Sequence, residues 1–174
     1  ADAAGWVDVD PATLRHKTFA NIFALGDAGN TTNAKTAAAA HKQAPVVAHN
    51  LLATRGVLKG AAQYDGYGSC PLTVERGKIV LAEFTYGGKV APSFPKWLID
   101  GTQPSSLAWH LKARILPSLY WDAMLKGKEW MANALKATGN YGEIFDRNLT
   151  QLKIARGKNA LWNAGGLQYA PPIR

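Results

Sequence analysis

Cysteine is the scarcest resource in this chain: Cys70 stands alone among 174 residues. A single cysteine excludes an internal disulfide and a cysteine-based metal cluster, and no metal site is expected. No window holds 18 consecutive apolar residues, which argues against a helix that crosses a bilayer. Residues 1–9 lack the charged and apolar regions of a secretory leader. There is no initiator Met, so Ala1 is expected to lie inside a longer parent chain. Acidic residues are outnumbered 12 to 20, for a formal net charge of +8. That excess favours anionic partners such as a phosphate-bearing cofactor or acidic lipid. The basic residues are dispersed and match no nucleic-acid-binding motif, so no nucleic-acid partner is expected. No internal repeat is present.

Apolar residues make up 47% of the chain, enough for a core. Residues 6–11 read as a short strand that Pro11 ends, and 21–25 as a buried strand. Gly26-Asp27-Ala28-Gly29-Asn30 breaks it. A long helix is expected over 36–54, driven by the run of alanines at 37–40. Pro45 inside it predicts a kink or a break into two helices, and Arg55-Gly56 marks its end. Residues 64–72 are rich in Gly, Ser and Pro and read as an irregular connection. Residues 72–74 and 78–86 read as two strands joined by a turn at Glu75-Arg76-Gly77. A loop region with three prolines spans 87–104, and helical spacing resumes from Ser105.

The order strand, Gly-Asp turn, helix has chemical content. Asp27 at the strand end can accept hydrogen bonds from a polyol, and the helix start near Thr36 offers unpaired N–H groups and a positive dipole end. The same order also suits an ordinary turn before an ordinary helix. Phe19-Ala20-Asn21-Ile22-Phe23-Ala24-Leu25-Gly26-Asp27-Ala28 resembles the second FAD-binding motif of the two-dinucleotide-domain flavoproteins, the pyridine nucleotide–disulfide reductase superfamily. The resemblance implies a ribityl contact for Asp27 beside Gly26. Lys35-Thr36-Ala37-Ala38-Ala39 and His41-Lys42-Gln43-Ala44 resemble the helix that runs under the flavin, which implies flavin or quinone contact for Lys35, Thr36 and Gln43. No Gly-x-Gly-x-x-Gly occurs, so the primary ADP-binding unit is expected upstream and the FAD site here is incomplete.

Cys70 lies in Tyr64-Asp65-Gly66-Tyr67-Gly68-Ser69-Cys70-Pro71-Leu72, on what reads as a flexible connection between helix and strand. That setting suits a small buried hydrophobe or a reactive thiolate that receives and releases sulfur. The segment, with Ile79-Val80-Leu81-Ala82-Glu83-Phe84 after it, resembles the sulfide:quinone oxidoreductases, most of all the branch with the mitochondrial enzymes. The resemblance implies that Cys70 is the catalytic residue, one of a redox pair beside the flavin that passes through a persulfide. Its partner cysteine would belong to the missing N-terminal half.

Trp97, Trp109, Leu119, Tyr120, Trp121 and Trp130 crowd one region, interleaved with Lys112, Arg114, Lys126 and Lys128. Aromatic residues beside lysines suit helices lying in a membrane interface, and equally suit amphipathic helices packed on a core. Pro117 predicts two short helices. Lys112-Ala113-Arg114-Ile115-Leu116-Pro117-Ser118-Leu119-Tyr120-Trp121 resembles the docking helices of the same family. This implies quinone or membrane contact for Lys112, Leu119, Tyr120 and Trp121, and a peripheral location, at the bacterial inner membrane. Exposed apolar surface on such helices predicts self-association as a homo-oligomer.

Residues 132–174 read differently. Gly139-Asn140-Tyr141-Gly142-Glu143-Ile144-Phe145-Asp146-Arg147-Asn148 and Ala155-Arg156-Gly157-Lys158-Asn159-Ala160-Leu161-Trp162-Asn163 resemble the C-terminus of periplasmic general L-amino-acid-binding proteins of ABC transporters. The expectation is therefore an α+β fragment of a Rossmann-like, two-dinucleotide-domain flavoprotein in three parts. Residues 1–60 would complete an FAD-binding domain. Residues 61–131 would hold the cysteine, a β-hairpin and the docking helices, and 132–174 an unrelated helical tail. The function implied is sulfide oxidation with quinone reduction by the parent enzyme, the fragment alone being inactive. The alternatives are another quinone-linked flavoprotein such as a type II NADH dehydrogenase or, for the tail, an amino-acid-binding protein. The Ser-Cys-Pro-Leu setting of Cys70 argues against the NADH dehydrogenase.

Overall fold

The computed structural model describes residues 1–126. The chain divides into two units, Ala1–Ala137 and Thr138–Arg174. The helical tail expected over 132–174 lies outside the described residues, as does Trp130. The described architecture is α+β: one long helix, a two-stranded antiparallel sheet and a winding helical segment over 106–126.

The two strands expected before the long helix do not form. They are reduced to isolated bridges of Val7 with Gly29, Val9 with His16 and Arg15 with Phe23. Asp10 folds the chain back at Pro11: its carboxylate accepts the Thr13 amide at 2.7 Å and the Thr13 hydroxyl at 2.8 Å. Of residues 21–25 only Ala24 is buried, while Asn21 and Ile22 face solvent. Leu14 adopts a φ of 59°, uncommon for a bulky residue, and is fully buried. Its amide donates to Asp10 and its carbonyl accepts from Ala24, so the unusual conformation is held from both sides.

Helix α1 spans Ala37–Thr54, with Thr36 as its N-cap: the Thr36 hydroxyl accepts the Ala39 amide at 3.1 Å. The break expected at Pro45 does not occur, and the helix runs on as one 18-residue element. Proline removes one N–H and crowds the carbonyl four residues back, at a cost of about 3 kcal/mol. Burial on both sides of Pro45 offsets it, through Gln43, Val46, His49 and Asn50. Asn50 also fastens the helix: its amide nitrogen donates to Thr13 at 2.8 Å and Ala62 at 3.0 Å, and its oxygen accepts the Ala62 amide at 2.7 Å. The helix ends as expected, with Gly56 at a φ of 72°.

Strands β1 (Gly68–Glu75) and β2 (Lys78–Phe84) form the hairpin, turning at Arg76-Gly77 with Gly77 at a φ of 86°. Strand β2 buries every second residue, Ile79, Leu81 and Glu83, as a one-sided strand must. Ile79, Leu81, Ile99 and Ala108 make the core here, with Phe94, Trp109 and Leu111 against it. Gly101 passes so close that a Cβ would lie 2.6 Å from the Leu81 carbonyl oxygen, so no other residue fits.

Helix α2 (Ser106–His110) starts at Ser105, whose hydroxyl accepts the Ala108 amide at 3.2 Å. A π segment (Leu111–Ile115), α3 (Leu116–Ser118), a second π segment (Leu119–Ala123) and a 3₁₀ turn (Met124–Lys126) follow directly. The break expected at Pro117 is therefore absent. The Leu116 amide reaches back five residues to Leu111, and the Met124 amide to Leu119. A proline ring collides with the carbonyl four residues before it, here that of Ala113, and the wider π turns make room without ending the helix.

Candidate functional site

The structure gathers the candidate residues around the start of α1 and the start of β1. Gly26 opens a 3₁₀ turn (Gly26–Ala28) at a φ of 60°, and its amide donates to the Gln43 side-chain oxygen at 2.6 Å. Gln43 is almost wholly buried, so this bond ties the Gly-Asp turn to the second turn of α1. Asp27 stands exposed at the tip of that turn. Lys35 folds away from it: its ammonium donates to the Gly29 carbonyl and sits 4.3 Å from the Trp6 ring centroid.

Thr36 joins the two halves of the site. The hydroxyl that caps α1 also accepts the amide of Ser69, at 3.4 Å. Gly68 precedes Ser69, and a Cβ there would clash with the Phe84 ring at 2.9 Å, while the Thr36 hydroxyl at 3.5 Å would be in ordinary contact. Cys70 follows at once. It is half-buried and lies in β1 opposite Ala82, not on a flexible connection. A two-stranded sheet has only edge strands, and edges admit a proline such as Pro71. That tolerance is why the Gly- and Pro-rich segment could enter the sheet.

On the other side of Cys70, the Lys112 ammonium donates to the Pro71 carbonyl and the Thr73 hydroxyl, both at 2.8 Å. Lys112 thus ties the first π segment to the cysteine strand. Leu119, Tyr120 and Trp121 lie apart from this cluster on the second π segment. The Tyr120 and Trp121 rings meet edge to face at 5.1 Å, and Trp121 is 62% exposed.

Several polar residues that the sequence did not single out surround the cysteine strand. Glu83 is buried on β2, where its carboxylate accepts the Tyr67 hydroxyl at 2.5 Å, the Ser93 amide at 3.0 Å and the Ser93 hydroxyl. Burial, and then the bond to Glu83, push the Tyr67 phenol up to about 12. Burial likewise raises Tyr86 to about 12, and Tyr64 further still. Lys42 lies over the Tyr67 ring, 5.5 Å from its centroid, and burial lowers its pKa against the pull of Asp65. A carboxylate at the third step of the pattern Ile79, Leu81, Glu83 was a legible sign of a buried acceptor. A cavity of about 420 Å³ lies beside β2 between Phe84, Val90 and Ile99, and none of the expected site residues lines it. Among the described residues no group of His, Cys, Asp and Glu could hold a metal ion. No helix among them is long and apolar enough to cross a membrane.

No family model matches the chain. The mitochondrial sulfide:quinone oxidoreductase of Dictyostelium discoideum is 43% identical over 133 residues, 76% of this chain and 29% of that protein. The mouse enzyme of the same name is 39% identical over 127 residues, covering 73% of this chain and 28% of that protein. About three quarters of this chain is similar to sulfide:quinone oxidoreductases. The chain spans less than a third of the length of these sulfide:quinone oxidoreductases. A small C-terminal region is similar instead to periplasmic amino-acid-binding proteins. The general L-amino acid-binding periplasmic protein of Rhizobium johnstonii is 67% identical over 49 residues, 26% of this chain and 14% of that protein. Among solved structures, a chain in the cryo-EM structure of the Tetrahymena thermophila mitochondrial ATP synthase, an F1Fo composite tetramer, superposes with a TM-score of 0.56. It is 27% identical and covers 80% of this chain and 31% of that one.

Proposed function

We propose that the parent protein is an FAD-dependent sulfide:quinone oxidoreductase. In this reading the chain supplies the second flavin segment, one redox cysteine and the quinone- and membrane-facing helices of a Rossmann-like flavoprotein. The observation that carries it is the shared Thr36 hydroxyl, which brings the start of α1 and the strand of Cys70 to one place. A flavin-contacting helix and a sulfur-carrying cysteine need that proximity. The residues present fit a polar cofactor: the Thr31 hydroxyl and the Asn33 side-chain oxygen, in the loop leading into α1, are buried without a hydrogen-bond partner, a state that usually signals a missing one.

Gly26 and Asp27 would hold the ribityl chain, and Lys35, Thr36 and Gln43 would face the ring or the quinone. FAD, when bound, takes up two electrons and passes them on to quinone. Cys70 would form one half of a disulfide with a cysteine in the N-terminal half that this chain lacks: sulfide attacks that bond, one cysteine becomes the persulfide, and the other leaves as a thiolate whose electron pair goes to the bound FAD as oxidant. The ADP-binding unit belongs to that half too, so the chain by itself binds FAD incompletely and is inactive. Lys112, Leu119, Tyr120 and Trp121 serve the quinone and the membrane surface. The working parts are then 1–60 for the flavin and 61–131 for cysteine, hairpin and docking, while 132–174 takes no part in the reaction. We place the parent peripherally on a membrane, the bacterial inner membrane in this reading; the peripheral part is in keeping with the described residues, none of whose helices is long and apolar enough to cross a bilayer.

The test is the absorbance spectrum of the full-length parent with sulfide and with NADH. A flavin band bleached by sulfide and not by NADH supports the reading. Bleaching by NADH alone favours a type II NADH dehydrogenase, and no flavin band removes both.

A further inference from the structure

Strand β1 has little of its own to fix its register. Pro71 offers no N–H to the ladder, the pairing shifts between Thr73 and Glu75, and residues 72–75 face solvent. Register matters here because a one-residue slip turns every side chain of a strand to the opposite face. For Cys70 a slip would exchange its face with that of Ser69. The missing constraint comes from outside the ladder. Ser69 stands opposite Glu83, and the buried Glu83 carboxylate accepts the Tyr67 hydroxyl, two residues before Ser69. The Ser93 amide and hydroxyl add two further hydrogen bonds to the carboxylate.

We propose that Glu83, through Tyr67, is a positioning residue that sets which face of β1 Cys70 presents. The role assigned to Cys70 rests on the function proposed above, while the clamp itself does not. The phenol stays protonated at every physiological pH, so the donor is permanent, and its bond to a carboxylate is of the strong, charge-assisted kind.

Cys70 is the only thiol in the chain, so alkylation of the whole chain by iodoacetamide reads that residue alone. With the clamp intact, the half-buried Cys70 faces away from the side that β2 buries and reacts at a measurable rate at alkaline pH. Tyr67→Phe removes only the hydroxyl, and Glu83→Gln keeps the size and removes the charge. Each is expected to lower the alkylation rate about tenfold, the scale of one charge-assisted hydrogen bond, because a slip turns Cys70 to the face on which β2 buries Ile79, Leu81 and Glu83. Asn50→Ala, which loosens α1 far from the clamp, is the control, compared at equal distance below its own Tm. Its rate should stay near that of the unaltered chain. Unchanged or raised rates in both clamp variants, or an equal fall in the control, would overturn the proposal. Should Tyr67→Phe not fold, Glu83→Gln decides alone. In the full-length parent, Tyr67→Phe should lower the kcat for sulfide about as much, leaving flavin content and KM unchanged. A fall in alkylation without that loss would count against the sulfide chemistry and leave the clamp standing.

Discussion

Ser69 and Cys70 differ in task because neighbours on a strand face opposite ways. Ser69 gives its amide to Thr36 and faces Glu83, which leaves Cys70 half-buried on the other side. In the full-length parent, Cys70→Ser should abolish sulfide-dependent flavin reduction while flavin content stays as it was. A hydroxyl of the same size cannot carry the sulfur, and the residues assigned to the flavin are untouched. Stopped-flow absorbance with sulfide measures it, and an unchanged rate would remove Cys70 from the reaction. At this scale the sequence was informative about residue type and poor about company. Cys70, Thr36 and Gln43 could be named, but no spacing rule shows that Thr36 meets a residue 33 positions later. Lys112 illustrates the limit, since nothing in its helical context points to Pro71, 41 positions earlier.

Helix α1 and the hairpin were legible because their signals are local: an alanine run ended at Arg55-Gly56, and a Gly turn between two strand-like runs. The errors came from prolines and from partners. Pro45 was read as a kink or a break and Pro117 as a break, yet α1 runs through the first as one helix and π turns carry the chain past the second. The short strands before α1 were read from their apolar runs, but a run becomes a strand only beside a pairing edge, and here each finds single-residue bridges. Ile79 shows what holds the hairpin to α2. It is fully buried and exchanges both backbone hydrogen bonds with Ser105. Ile79→Ala should destabilise the fold by about 2–5 kcal/mol, the usual span for a large buried side chain cut to a methyl, read as a shift in urea midpoint. The tyrosines set a pH limit on the same elements. Tyr67 and Tyr86 titrate near 12 in the folded chain, above the unfolded value of about 10. Their contribution is thus complete below about pH 10 and is lost as pH rises through about 12. Urea midpoints should fall across that window, and Tyr67→Phe should flatten the fall.

At the scale of the whole molecule, the described unit keeps a large share of its biggest apolar side chains in solvent. Trp97 is 85% exposed and Trp121 62%, with Leu125, Ile115 and Tyr120 close behind. Scattered exposed apolar residues are ordinary, but five of this size within thirty residues, four of them on one helical segment, make a surface that needs cover. Two kinds of cover compete, another protein surface or a lipid interface, and charge separates them. Lys126 accompanies the aromatics, and the chain as a whole carries +8, which draws it to anionic lipid. If lipid is the cover, binding to vesicles of mixed neutral and anionic lipid has an electrostatic part that salt screens and an apolar part that it does not. Replacing Leu119, Tyr120 and Trp121 together by Ala removes three insertions worth about 1.5–3 kcal/mol each when fully buried. Vesicle affinity should then fall by about a hundredfold or more, and the residue of binding should vanish at high salt. Those side chains bury nothing in the core, so the Tm should hardly move. Flotation with vesicles at low and high salt gives the answer. Equal flotation of the variant would leave the aromatic surface to a protein partner, and light scattering that shows assemblies dispersed by the same substitutions would name a second copy of the chain as that partner.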